Sequence, residues 1–128
     1  MRIRLVSIMV DDQDKALKFY TGVLGFLKKQ EFPVGEYKWL TVVSPEAPDE
    51  AQLTLEPNAN PAGKAFQQAM FAQKIPVAAF ETSDIDRDYK RLKAAGVVFM
   101  GEPAQMGPVK IAVFSDTCGN LIQMYQIL

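Results

Sequence analysis

Few side chains here can do chemistry, and one type is missing: the 128 residues include no histidine. That removes the commonest metal ligand and the usual general base near neutral pH. It also removes Ser-His and Cys-His nucleophile pairs. Any reaction must use carboxylates, lysine, tyrosine, hydroxyls, the single cysteine or a bound cofactor. Cys118 stands in Asp116-Thr117-Cys118-Gly119-Asn120. Its acidic neighbour raises a thiol's pKa, so it reads as a turn residue, not an activated nucleophile. The carboxylates are better placed. Glu56 follows Thr54 by two in QLTLE, Glu81 follows Ala79 and Val77 in VAAFE, and Tyr125 follows Gln123 by two in LIQMYQ. A step of two keeps side chains on one strand face. Two converging carboxylates raise each other's pKa and make an acid/base pair; solvated at a cavity mouth they do not. Both readings stand for Glu56 and Glu81. Trp39, the only tryptophan, shares a face with Tyr37 and Thr41 and fits either an aromatic wall for a planar ligand or plain core. Phe99, Met100 and Met106 offer adaptable lining or core and loop packing.

The elements that must position these residues follow from periodicity. Ile3 to Val10 reads as a strand apolar on both faces, hence one buried on both sides. Asp11 and Asp12 end it and supply a cap. Apolar residues at three- and four-residue steps make Asp12 to about Leu24 an amphipathic helix, stopped by Gly25. Strands follow at 26–32 and 37–43 around Pro33-Val34-Gly35-Glu36, then at 52–56. PNANPAG is a loop, and KAFQQAMFAQ is a short helix in a connector. The second half repeats the first: strand 77–82, cap Ser83-Asp84, a helix with stripe Ile85, Tyr89 and Leu92, then strands at 98–100, 109–114 and 121–127. Leu5 matches Val77, Ile8 matches Phe80 and Asp12 matches Asp84 at one constant spacing. The reading is one domain over 1–128: module one 1–57, connector 58–75, module two 76–128.

Composition narrows the function. Apolar residues are 48% and charged residues 23%, the balance of an ordinary globular domain. Fourteen basic and fifteen acidic residues form no basic stripe, which argues against nucleic acid as a partner. No apolar run approaches the roughly 20 residues of a membrane span, so no membrane partner is expected. The N-terminus lacks a signal-peptide pattern. One cysteine excludes an internal disulfide and fits a reducing compartment, so a cytoplasmic protein is expected.

VDDQDKALKFYTGVLGF after a strand, the later AFETSDID and RLKAAGV segments, and the closing D-x-x-G-N-x-I turn and strand resemble the vicinal oxygen chelate superfamily. That group contains glyoxalase I, extradiol dioxygenases, fosfomycin resistance enzymes and bleomycin resistance proteins. The resemblance spans nearly the whole chain. It implies an α+β fold of two tandem βαβββ modules, a curled mixed sheet around a concave cavity with helices outside. Strand alternation then turns Leu5, Ser7 and Met9 toward the cavity, with Val77, Ala79 and Glu81 opposite. Metal-dependent members take ligands from the first and last strands of each module. The matching positions here are Leu5, Val77, Thr54 and Gln123, none a good donor. Neutral oxygens hold a transition metal poorly, so neither a metal nor another cofactor is expected. Leu5 and Val77 suit either an apolar lining or a collapsed core.

The implied function is metal-independent binding of a small molecule, sequestering or carrying an apolar or aromatic ligand. The candidate contacts are Leu5, Ser7, Trp39, Thr54, Glu56, Val77, Glu81, Gln123 and Tyr125. No catalytic residue is assigned. Two other functions fit the same sequence: a lyase, isomerase or dioxygenase-like enzyme using carboxylates or a ligand-supplied metal, and a structural or regulatory dimer with a filled cavity. The resemblance also implies a homodimer with clefts shared across its interface.

Overall fold

A computed structural model describes residues 1–128. The chain runs β1 (Leu5–Val10), α1 (Gln13–Leu17), β2 (Leu27–Val34), β3 (Tyr37–Val43), β4 (Gln52–Pro57), α2 (Pro61–Ala72), β5 (Ala78–Glu81), α3 (Ile85–Ala94), β6 (Ala104–Met106), β7 (Val109–Ser115) and β8 (Leu121–Ile127). Its strands form two four-stranded mixed sheets of the same order, β1-β4-β3-β2 and β5-β8-β7-β6. In each, the first strand lies parallel to the last and antiparallel pairing builds the rest. The sheets curl without closing.

Local sequence explains the helices. Asp12 caps α1 by accepting from the Lys15 amide, and Asp84 caps α3 through Arg87. Beyond Leu17 the helix continues as π turns over Lys18–Val23, with the Leu24 amide on the Phe19 carbonyl. The hydroxyl of Thr21 donates to the Leu17 carbonyl at 2.6 Å, a back-bond of the kind that bends helices. The π turns bring Phe19 and Tyr20 together onto the second module: Phe19 tilts against Phe114, and Tyr20 meets Phe80 edge-on.

One continuous core therefore joins the modules, from Ile8, Val10, Leu40 and Leu55 through Tyr20 to Ile85, Phe114, Ile122 and Met124. A buried polar knot ties the same elements. Asp116, fully buried, accepts from Tyr20 Oη at 2.7 Å, from Asn120 Nδ2 at 2.8 Å and from the amides of Cys118 and Asn120. Gln67, the one buried residue of α2, donates Nε2 to the carbonyls of Met9 and Cys118 and accepts from Asn58. Such satisfied networks fix a unique arrangement because breaking any member orphans the others.

Two sequence expectations change. The second strand of module two is β6 at Ala104–Met106; of the stretch expected at 98–100, only Phe99 makes an isolated bridge, to Phe114. Gly101 and Pro103 break that run, so pairing resumes beyond them. The start of β1 is not buried on both sides: Leu5 and Val6 are 46% and 47% exposed. The Asp116–Asn120 turn is a turn as expected, and with Asp116, Cys118 and Asn120 buried it also serves as a junction between the modules.

Candidate functional site

Register assigns side chains to the sheet faces. On sheet one, Ile8, Val10, Leu40, Val42 and Leu55 point into the core. The alternate residues form the other face. Ser7 lies beside Thr54, Met9 beside Glu56, Thr41 beside Thr54, and Phe32 beside Trp39. The structure thus gathers Leu5, Ser7, Trp39, Thr54 and Glu56 on one face, which α2 borders at Ser7 and Met9. These side chains hold one another. Ser7 Oγ donates to Glu56 at 3.0 Å, Thr41 Oγ1 to Gln52 at 2.8 Å, and Trp39 Nε1 to Gln30 at 2.8 Å, with the indole stacked on Phe32. At the centre Thr54 is 2% exposed, and its hydroxyl has no hydrogen-bond partner. It is the only such side-chain polar atom. An unpartnered buried hydroxyl costs about 1–3 kcal/mol, so a structure that keeps one demands a reason.

Sheet two has a face of different chemistry. Ala79 lies beside Gln123, Glu81 beside Tyr125, Ile111 beside Tyr125 and Val113 beside Gln123. Val77 precedes them on the same side, and Ala104 and Met106 extend the face at β6. Gln123 and Tyr125 are polar points in an aliphatic field. The two faces approach at their first strands. Ser7, Met9 and Val77 line one hollow of about 100 Å³ with Phe66, Gln67 and Asn120. Helix α2 covers it, and Gly63 permits this seat, since a Cβ there would lie 3.3 Å from the Met9 sulfur.

Glu56 and Glu81 do not converge. Glu56 is tied to Ser7, whereas Glu81 lines a hollow with Arg87, Asp88 and Arg91. Nor do the residues present fit the metal of the metal-dependent relatives. Leu5 and Val77 carry no donor, Thr54 and Gln123 carry neutral oxygens, and no three Cys, Asp or Glu side chains stand where they could hold a metal ion together. Cys118 is fully buried, and burial first, then the charge of Asp116, pushes its thiol up to about 12, leaving it inert near neutral pH.

Sequence reasoning missed Gln30, Phe32 and Gln52, which hold or stack on the candidates, and Phe66 and Asn120 at the hollow. For the first three the signal was present, since all lie in strands whose alternation marks this face. Phe66 had none, because the connector's docking is tertiary.

Both the topology and these faces define a class. Residues 2–124 match the model of the glyoxalase/bleomycin resistance protein/dioxygenase superfamily, and the chain belongs to that family. Among its relatives, the uncharacterized YurT of Bacillus subtilis (strain 168) is 52% identical over 98% of this chain and 99% of its own. The crystal structure of UcmS2 superposes with a TM-score of 0.84 at 32% identity, covering 98% of this chain and 97% of that one. TnmS3, an antibiotic binding protein from Streptomyces sp. CB03234, gives 0.79 at 28% identity, covering 100% and 97%. No helix is long and apolar enough to cross a membrane.

Proposed function

We propose that this chain is a metal-independent small-molecule binding protein that sequesters or carries an apolar or aromatic ligand. The ligand lies on the open face of sheet one, its ring against Trp39 and a polar atom toward Thr54, with the aliphatic face of sheet two closing over it. The unpartnered Thr54 hydroxyl carries this reading. Every polar neighbour on that face is engaged, and this group alone lacks a partner. The antibiotic-binding relative TnmS3 supports the same reading.

The closing surface comes from a second copy. The chain exposes 7751 Å², against about 6,800 Å² for a folded monomer of 14.2 kDa. The excess sits with exposed apolar residues on and beside these faces, including Leu5, Phe32, Val34, Met106 and Ile127. A homodimer in which face one of one copy meets face two of the other buries them and encloses the ligand. With one buried thiol and no basic stripe, the reading places it in the cytoplasm, without a nucleic-acid partner.

A melting-temperature screen tests it, using zinc, nickel, manganese and iron salts, catechols, the glutathione–methylglyoxal adduct, fosfomycin, bleomycin and aromatic metabolites. A ligand at a hundredfold excess over its Kd stabilises by about 2.7 kcal/mol. A shift with an organic compound and none with metals is expected. A metal shift with turnover contradicts the proposal.

A further inference from the structure

A second cleft lies where the modules meet beside α3, bordering the open faces at Gln52, Ala79 and Glu81. Two hollows, of about 220 Å³ and about 250 Å³, lie side by side and share Phe26, Ser44 and Phe80 in their walls. The smaller is floored by Phe26, Phe80, Leu92, Phe114 and Met124. The larger runs between β1, β4 and β5 over Val6, Val42, Leu53 and Ala79. Phe26 and Phe80 meet edge-on at 5.1 Å, so ring faces as well as edges border the cleft.

Charge is confined to one end. Arg87, Arg91, Asp88, Glu46 and Glu81 line the smaller hollow, three carboxylates against two guanidiniums. Both arginines are already engaged. Arg87 Nε holds Asp88 at 3.2 Å, while Arg91 holds Asp88 at 3.7 Å and the Val23 carbonyl at 3.1 Å. Asp88 also takes the Thr82 hydroxyl. Glu46 and Glu81 have no ion-pair partner. The mouth therefore carries a net negative charge with two unpaired carboxylates above an aromatic floor. That combination attracts a cation twice, through the carboxylates and through the ring quadrupoles. The long apolar arm behind it accepts a hydrocarbon or aromatic body.

We infer that this inter-module cleft is a second ligand site, taking a lipophilic organic monocation with its ammonium between Glu46 and Glu81 and its apolar body along Phe26, Phe80 and Leu53. Of the nine sequence candidates only Glu81 lines the charged hollow. This site does not depend on ligand binding at the open faces.

Three probes of nearly equal shape test it: benzyltrimethylammonium, its uncharged carbon isostere neopentylbenzene, and 3-phenylpropionate. Binding to the full chain is followed by amide chemical shifts, with Trp39 fluorescence reporting the open face. The cation is expected to bind in the millimolar range or tighter and at least tenfold better than either analogue. Its shifts should centre on Phe26, Ser44 and Phe80, leave Trp39 emission unchanged and weaken with salt. The E46Q/E81Q double variant, with both residues exposed and so folding-neutral, should lose at least tenfold in affinity. No binding, equal binding of the neutral isostere, preference for the carboxylate, quenching of Trp39, or an unchanged affinity in the double variant each overturns the inference.

Discussion

Raising the pH from about 9 to about 11 should remove roughly 3.5 kcal/mol of stability through two buried groups. Burial, then Asp116, pushes the Cys118 thiol from its ordinary 9.0 up to about 12. Burial, then the charge and hydrogen bond of Asp116, pushes the Tyr20 phenol well above its ordinary 10.0. Both folded values are raised. Their stabilisation is therefore complete below the unfolded values and is lost as pH climbs from those values toward the folded ones, where the unfolded chain holds fewer protons. Each group contributes a slope of about 1.4 kcal/mol per pH unit inside its window. Over this range Cys118 accounts for about 2 kcal/mol and Tyr20 for about 1.4 kcal/mol. Against a typical 5–15 kcal/mol in total, the loss is easily measured. Denaturant unfolding at stepped pH, on the wild type, Cys118→Ala and Tyr20→Phe, separates the terms. Each substitution carries its own constant cost, in Tyr20→Phe about 1.5–3 kcal/mol for the lost bond to the Asp116 carboxylate, whereas Cys118→Ala keeps the Cys118 amide on Asp116. Each should flatten the slope in its own window. A wild-type profile level to pH 11, or slopes unchanged in both variants, would refute the assignment of these groups to a sealed junction.

Three further outcomes follow from the same contacts. Gly119→Ala should destabilise by more than about 1 kcal/mol in thermal unfolding, because φ is +99° and the new Cβ lies 2.7 Å from Gln67 Nε2. The added cost should shrink in a Gln67→Ala background, where only the backbone strain remains. Thr54→Val should leave the melting temperature unchanged or raise it, since it removes an unpartnered hydroxyl in a similar volume; a loss above about 1.5 kcal/mol would reveal an unseen partner. Asp84→Ala should cost about 1 kcal/mol as α3 loses its cap to the Arg87 amide, with no effect on ligand affinity at the open face.

Local chemistry explains what was legible in the sequence. The alternation of β1, β4, β5 and β8 has a period of two, so the partition of Ser7, Thr54, Ala79 and Gln123 from Ile8, Leu55, Phe80 and Met124 could be read from spacing alone. Capping by Asp12 and Asp84 is equally local. The misses are tertiary. Apolar residues on both sides of β1 suggested burial on both, yet the start of the strand is left uncovered on either side, with Leu5 and Val6 about half exposed. A run such as Val98-Phe99-Met100 has strand propensity but finds a partner only at Phe99. Asp116 resembled an ordinary turn acid because Tyr20, its partner, lies 96 residues away. Nothing about Gln67 announces a residue that ties β1, the last turn and the connector together.

The central claim is that the face bearing Trp39 and Thr54 binds an organic ligand without metal. Trp39 is the only tryptophan, so its emission reports that face directly. The decisive measurement is a fluorescence titration of the strongest organic compound from the melting screen, in chelator, on wild type and Thr54→Val. The account predicts saturable quenching in chelator and affinity at least several-fold weaker in Thr54→Val. Quenching that needs added metal, or an affinity identical in the two proteins, would contradict it.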